Sequence, residues 1–215
     1  MADWHVQQGP FDIPDVPDFI PRRLKPYLFI FFVLIIQFSG GVYLAAASDM
    51  VGTKAVMQED ILMAGYASLI GMAINFAMMF RIKFRFSTRN QLLVSGMVLI
   101  AANVICAYTA SVPLLVGTCF VAGWFRMQAT FACNSTIQLW LTPVRDMAIF
   151  FCYVYIIVDS VIQLSGIATI YTAFFSQWEY MHWIMTGMLA LMMLMVMILV
   201  KPVRGPMFIP LLGID

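Results

Sequence analysis

The sequence predicts an all-α membrane protein of six transmembrane helices, and three observations lead to this prediction. The 215-residue chain is 62% hydrophobic and only 11% charged, whereas a soluble domain is about half apolar and about a quarter charged. Its apolar residues collect in six windows, each long enough to provide the roughly 20 residues that a spanning helix needs. Its positive charges collect at alternate ends of those windows. Lipid is therefore the expected solvent for most of the chain.

Residues 1–26 are expected to form an irregular cytoplasmic tail. The stretches FDIPDVPDF and PRRLKP interleave proline with charge, and proline lacks the amide hydrogen that a helix interior requires. The tail also lacks the long apolar core of a cleavable signal peptide. The predicted domains are this tail, a six-helix bundle over residues 27–200, and a cytoplasmic segment over residues 201–215.

The predicted spans follow the apolar windows in chain order. They are residues 27–47, 61–80, 92–110, 114–137, 147–175 and 182–200. The fifth is longer than a bilayer requires, so it is expected to tilt or to extend beyond the hydrocarbon core. The sixth contains MTGMLALMMLMVMILV, which is apolar all round, and it is expected to face lipid over most of its surface.

Lysine and arginine lie mostly on one side of this arrangement. Ten of the 12 lie before the first span, between the second and third spans, between the fourth and fifth spans, or after the sixth span. They are Arg22, Arg23, Lys25, Arg81, Lys83, Arg85, Arg89, Arg145, Lys201 and Arg204. The opposite loops carry only Lys54, and Arg126 lies within a span. Because cytoplasmic loops collect Lys and Arg, both ends of the chain are expected in the cytoplasm.

Three predicted spans carry a stripe of small or polar residues whose helical spacing places it on one face. In chain order the stripes are Ala64, Ser68, Gly71 and Asn75; Cys119, Gly123, Arg126, Thr130 and Asn134; and Cys152, Tyr155, Asp159, Gln163 and Gly166. Small residues also allow close helix packing in membranes. The stripes therefore fit either helix interfaces or a polar cavity, and the charges in two of them shift the balance toward the cavity.

Arg126 and Asp159 are the clearest ionisable residues deep within the predicted spans. A lone charge at that depth costs about 3 kcal/mol on insertion scales, so we expect the two residues to pair or to face a common wet cavity. One interpretation makes them a substrate or proton pathway, and the alternative is a structural ion pair. The candidate pathway consists of Arg126 and Asp159 together with Gln163, Asn75, Asn134 and Gln37.

The residues support no other chemistry. The four cysteines lie in apolar runs without CxxC spacing or nearby histidines, so they are expected to be small packing residues rather than metal ligands or a disulfide framework. HExxH, GxGxxG and P-loop patterns do not occur, so neither an enzyme activity nor a cofactor is expected. A net charge of +1 does not suggest nucleic acid as a partner.

Several short strings are similar to those of known transporters. AGYASLIGMAI resembles a taYxLxxAxxxP entry to the second span, and RFSTRNQLLV resembles the latter part of a DRxGRRxxLL loop motif. QWEYMHWIMTG resembles SWRWIFxINxPIG, and the final PMFIPLLGID resembles a stretch that runs on as DWLG. On these strings the chain resembles the N-terminal half of a major facilitator superfamily transporter of the fourteen-helix drug:proton antiporter branch.

This resemblance implies a fold and a function. The fold is two three-helix inverted repeats. The function is secondary active transport, with proton-coupled efflux of an amphipathic or drug-like small molecule across a bacterial inner membrane. The implied partners are the lipid bilayer, the substrate, protons and a C-terminal half that continues beyond Asp215. The alternative is a non-transporting membrane module that docks a partner protein through its tail and polar stripes.

The chain also departs from the pattern of that family. Phe84 replaces the aspartate of the loop motif, whereas its basic remainder persists as Arg85 and Arg89, which the resemblance marks as a conformational loop. The arginine of the family's fourth helix would fall near Cys119, but this chain has Arg126 two turns further along. Arg126 and Asp159 are therefore expected to replace the usual proton-coupling residues rather than to match them.

Overall fold

The computed structural model describes residues 20–21, 24–38, 47–140 and 144–201, and its secondary structure over these ranges consists of seven α-helices. In chain order they are α1 (Lys25–Phe38), α2 (Ala47–Lys54), α3 (Gln58–Arg85), α4 (Thr88–Tyr108), α5 (Val112–Trp140), α6 (Val144–Phe175) and α7 (Glu179–Leu199). Most of the predicted tail and nearly all of the predicted C-terminal segment lie outside the described residues.

Five of the described helices, α3 to α7, are long and apolar enough to cross a membrane. They correspond to the second to sixth predicted spans, and by length and composition they are the helices of a multi-pass membrane protein. The helix α1 is apolar but has only 14 residues. The first predicted span also includes residues 39–46, which lie outside the described residues. The first predicted span and the two inverted repeats therefore stay predictions.

The long helices extend past the apolar windows that predicted them. The predicted span 61–80 is part of a helix that begins at Gln58 and ends at Arg85. At its start, the Met57 N–H donates to the Asp60 carboxylate at 3.2 Å, and Glu59 and Asp60 lie where the helix dipole favours negative charge. Hydropathy locates the part of a helix that lipid surrounds, whereas capping and backbone hydrogen bonds decide where the helix ends.

The short helix α2 was not predicted. It packs against α3, and its Met50 joins a small buried cluster with Val56, Ile61 and Trp178. The indole N–H of Trp178 donates to Thr53 at 2.9 Å. This helix therefore closes one end of the bundle and brings Lys54 close to the last turn of α4.

The central helix of the bundle is α5, which packs against α1, α3 and α4. Side chains from several helices are fully buried around it, including Phe29, Phe32, Leu92 and Ile137. In contrast, α6 packs mainly on α1 and α7, and only 17% of its spanning window is buried, against 50% for α4. The peripheral helix of the described bundle is therefore α6.

The helix α7 packs through one face, and contact with lipid over most of its surface stays a prediction. Met181, Met185 and Met192 are buried on one face, and this helix packs against α4 and α1. The opposite face, which includes Ile184 and Ile198, is exposed. An all-apolar helix does not reveal which face packs, because every face is equally suited to lipid and to a neighbouring helix.

The small-residue stripes of α3 and α5 meet at a close crossing. A Cβ atom added to Gly71 would overlap the backbone carbonyl of Phe120, and one added to Gly123 would overlap that of Ser68. The two backbones are therefore in direct contact, which only glycine at these positions permits. At this crossing the stripes form a helix interface, which is one of the two interpretations left open by the sequence.

Candidate binding site

A cavity of about 160 Å³ lies between α3, α4 and α5, beside the glycine crossing. Its polar lining residues are Tyr66, Ser68, Asn103, Cys106, Cys119 and Arg126. At about 30 Å³ for each water molecule, this volume corresponds to roughly five waters, and an apolar cavity of about 150 Å³ accommodates a benzene ring. The cavity therefore has room for a small organic molecule.

Arg126 brings to this cavity a guanidinium that has no carboxylate partner in the described part of the chain. Its Nη2 donates to the thioether sulfur of Met72 at 2.9 Å, and thioether sulfur is a weak acceptor. Its Nε is buried and finds no hydrogen-bond partner in the described part of the chain. Because guanidinium carries five donors in a planar fork, most of the hydrogen-bonding capacity of Arg126 is open to a ligand.

Asn103 adds a second donor to the wall of the cavity. Its side chain is only 7% exposed, and its amide nitrogen Nδ2 has no hydrogen-bond partner among the described residues. A buried amide without a partner costs about 1–3 kcal/mol. A polar group in the cavity would recover part of that cost.

Asp159 does not lie with Arg126. The Asp159 side chain is exposed on α6, which packs mainly on α1 and α7 rather than on α5. No ion pair between the two residues occurs in the described part of the chain, because the only side-chain partner of Arg126 there is Met72. The predicted pairing is therefore wrong. Whether either residue belongs to a transport pathway stays a prediction.

Gln163 shares the exposed face of α6 with Asp159. One helical turn separates the two residues, and both side chains are exposed. Asp159 lies eight residues after Phe151, where the spanning window begins, which places it about 12 Å along the helix at 1.5 Å per residue. A carboxylate and an amide thus share an exposed face of a helix that is suited to a membrane.

Gln37 supports the backbone that carries Arg126. Its Nε2 donates to Thr130 Oγ1 at 2.8 Å, and Thr130 Oγ1 in turn donates to the Arg126 carbonyl at 2.9 Å. These bonds join α1 to α5 one turn from the guanidinium. Gln37 therefore fixes the position of the site, and the described contacts do not place it in the cavity wall.

Asn75 belongs to a buried chain of amides that crosses three helices. Its Nδ2 donates to Gln128 Oε1 at 3.1 Å, and Gln128 Nε2 donates to Gln91 Oε1 at 2.8 Å. Gln91 Nε2 then donates to the Phe86 carbonyl just before α4. Gln91 and Gln128 were not predicted as site residues from the sequence. A glutamine in an apolar span is nevertheless a detectable signal, because such a group needs a partner inside the protein.

Of the remaining predicted site residues, Asn134 and Arg89 are not among the residues that line the cavity. Asn134 is partly buried, and its Oδ1 has no hydrogen-bond partner among the described residues. Arg89 donates from Nη2 to the Met197 carbonyl at 3.4 Å. Arg85 is the last residue of α3, and its side chain lies outside the described ones.

Lys54 is partly buried at the end of the bundle that α2 covers. Its ammonium group donates to the backbone carbonyls of Cys106 and, at 3.0 Å, Thr109, and it lies 5.0 Å from the centre of the Trp178 ring. Burial lowers the pKa of Lys54, and this effect is opposed by the neighbouring Cys106, Glu179 and Cys119. Lys54 was predicted to lie in a loop between spans, and in the structure it is a partly buried cation beside two thiols.

No group of three or more His, Cys, Asp or Glu residues within the described ranges could hold a metal ion.

Neither a family model nor a curated protein matches this chain. The resemblance of its short strings to drug:proton antiporters therefore stays a prediction.

Proposed function

We propose that this chain is one helical half of a secondary active transporter and that it binds a small amphipathic molecule with an anionic group in the cavity beside Arg126. The observation that carries the proposal is the guanidinium of Arg126, which lines the cavity and has no carboxylate partner in the described part of the chain. The alternation of positive charge along the sequence supports an inner-membrane location with both ends in the cytoplasm.

The position of Arg126 makes an anionic ligand energetically favourable. It lies 14 residues after Val112 in a spanning window of 26 residues, about 21 Å along the helix. Charges at such depths are costly and mark substrate or ion pathways in membrane proteins. A carboxylate that accepts two parallel hydrogen bonds from the guanidinium would offset this cost, since bidentate pairs are among the strongest hydrogen bonds.

The rest of the cavity wall favours an apolar body on the same ligand. Its apolar residues include Leu62, Leu69, Leu99 and Ala122. Binding pockets commonly combine such walls with a few polar groups that fix the orientation of the ligand. The chemistry of the cavity therefore fits a molecule with one acidic group and a small apolar body.

The proposal can be tested with benzoate and its neutral counterpart benzamide. Either probe is added to the purified chain in detergent, and its dissociation constant is derived from the rise in unfolding temperature. Benzoate should bind more tightly than benzamide. Arg126→Gln should weaken benzoate binding by about 10- to 100-fold, because a hydrogen bond to a charged group contributes about 1.5–3 kcal/mol.

Arg81→Gln provides the matched control, because Arg81 is exposed and lies outside the cavity lining. This variant should bind benzoate as the wild type does. Arg126→Lys retains the charge but loses the planar fork, so its affinity should fall between those of the wild type and Arg126→Gln. Equal binding of benzoate and benzamide, or unchanged binding by Arg126→Gln, would reject the anionic site.

Asp159 is the residue that we expect to carry the coupled proton. Acidic residues within membrane spans mark proton relays in pumps and transporters, and Asp159 is exposed on a helix that is suited to the membrane. In proteoliposomes that transport the ligand, Asp159→Asn should abolish proton-linked movement. Retained transport with an unchanged pH dependence would show that another group carries the proton.

A second candidate function is a non-transporting membrane module that docks a partner protein. The exposed polar face of α6, with Asp159 and Gln163, favours it, because lipid does not satisfy such groups. In a transporter the same face would meet the other helical half. Benzoate binding that depends on Arg126 would distinguish the two functions, since a docking module has no need of a ligand in the cavity.

A further inference from the structure

Two thiols meet at the wall of the cavity. Cys106 Sγ on α4 and Cys119 Sγ on α5 lie 3.9 Å apart, and both side chains are almost completely buried. From the sequence they were expected to be small packing residues, because the cysteines lie in apolar runs without CxxC spacing or nearby histidines. The antiparallel turn between α4 and α5 brings them together.

We propose that Cys106 and Cys119 form a peroxide-sensitive dithiol, which closes to a disulfide and joins the end of α4 to α5. A disulfide has a sulfur–sulfur distance of about 2.0 Å, so the two sulfurs must approach by about 1.9 Å from their 3.9 Å separation. Thiols already in contact can close most of such a gap by rotating their side chains. The disulfide itself does not depend on the proposed transport function.

The ammonium group of Lys54 favours reactivity at this pair. It donates to the Cys106 carbonyl and interacts electrostatically with Cys106 and Cys119. A neighbouring cation stabilises a thiolate, which is the nucleophilic form of cysteine. Cys106 is therefore the expected site of first attack, and Cys119 the thiol that resolves the intermediate.

The cavity supplies the access that a buried thiol otherwise lacks. Both cysteines are among its lining residues, and its volume is about 160 Å³. Hydrogen peroxide is small and uncharged, and it occupies less space than two water molecules at about 30 Å³ each. The pair is thus open to a small hydroperoxide while larger oxidants are excluded by size.

The reaction balances with hydrogen peroxide as the oxidant. The Cys106 thiolate attacks one peroxide oxygen, the O–O bond breaks, and the leaving hydroxide takes up the thiol proton to form water. The product is a sulfenic acid at Cys106. Cys119 then attacks that sulfur, the S–O bond breaks, and a second water leaves with the proton from Cys119. Two thiols are oxidised and one peroxide is reduced.

The test uses the full chain with Cys152→Ala, because Cys152 is the exposed cysteine and would react independently. The purified protein is treated with hydrogen peroxide, unfolded and alkylated, and its alkylated thiols are counted by mass spectrometry. The count should fall from three to one. The substitution leaves three of the four cysteines, and peroxide then oxidises two of them. Dithiothreitol should restore all three, and peptide mapping should identify a 106–119 cross-link.

Cys133→Ala in the same background is the matched control, because Cys133 is also buried but does not line the cavity. This variant should still lose two thiols to peroxide, whereas Cys119→Ala should form no intramolecular disulfide. Oxidation of Cys106 to a sulfinic acid without a cross-link, or an unchanged count of three thiols, would overturn the proposal. No ligand is present in this experiment, so failure of the anionic site would leave its result unaffected.

Discussion

Arg89 connects the first turn of α4 to the last turn of α7. Its Nη2 donates to the Met197 carbonyl at 3.4 Å, and Met197 lies two residues before the end of α7 at Leu199. Carbonyl groups in the last turn of a helix have no partner within that helix, and a cation beside them is favoured by the helix dipole. One side chain thus ties two helix ends together.

Arg89→Lys tests whether this contact requires arginine. Lysine retains the charge but loses the planar fork, so the free energy of unfolding should fall by about 0.5–1.5 kcal/mol, the net contribution of a hydrogen bond. Thermal unfolding in detergent measures the change, with the exposed Arg81→Lys as the control. Equal stability of Arg89→Lys and wild type would mean that Arg89 serves only the positive-inside orientation.

Depth in the membrane could be predicted for single residues, but their partners could not. Arg126 lies deep in a spanning helix as expected, because counting along the chain gives its depth directly. Its pairing with Asp159 failed, because periodicity assigns a residue to a face of its own helix and does not say which helix that face meets. Gln128 has hydrogen-bond partners on α3 and α4. The sequence did not predict these partners, because they depend on how the helices pack.

At the scale of the helices, α3 and α5 cross closely because each has a glycine at the crossing. Gly71 and Gly123 each lie against the backbone of the other helix. In lipid, helices gain little from burying apolar surface, so close van der Waals packing of small residues drives their association. This crossing therefore also holds the walls of the cavity between α3, α4 and α5 in position.

Gly71→Ala and Gly123→Ala should each destabilise the bundle by about 1–3 kcal/mol, because the added methyl group overlaps a backbone carbonyl that cannot rotate away. Gly117→Ala is the matched control, since it lies on α5 with no atom within 4 Å of an added Cβ. This control should be neutral or stabilising, because alanine is a better helix former than glycine. Thermal unfolding in detergent compares the three variants. Equal effects at Gly71 and Gly117 would contradict the close crossing.

The positions of the long helices were largely predictable, because hydropathy marks each stretch that lipid can surround. The short helix α2 was not, since Ala47–Lys54 has little apolar character of its own and is held by contacts with α3 and Trp178. The stripes of α3 and α5 indicated packing surfaces, and the structure pairs them with each other. The third stripe, on α6, instead has Asp159 and Gln163 exposed, which its spacing could not reveal.

At the scale of the whole molecule, the described bundle has a polar face without a cover. Asp159 and Gln163 are exposed on α6, within a spanning window whose buried share is 17%. Both candidate functions require another polypeptide or a water-filled cavity on this side. A chain that left these groups in hydrocarbon would lose several kcal/mol for each unsatisfied polar group.

The final prediction is that lipid does not contact this face in the membrane, and neighbouring residues of α6 test it directly. Gln163 lies on the polar face, whereas Leu164 is exposed 100° further round the helix on the apolar surface. Each is replaced by cysteine in the Cys152→Ala background, labelled with a nitroxide, and reconstituted in liposomes. Oxygen dissolves in lipid, so its collisions should relax the label at 164 more strongly than the label at 163.

A protein cover would shield 163 from both oxygen and a water-soluble nickel chelate, whereas a water-filled cavity would expose it to the chelate. Equal oxygen access at the two positions would show that lipid surrounds the polar face, and it would contradict both the transporter and the docking module.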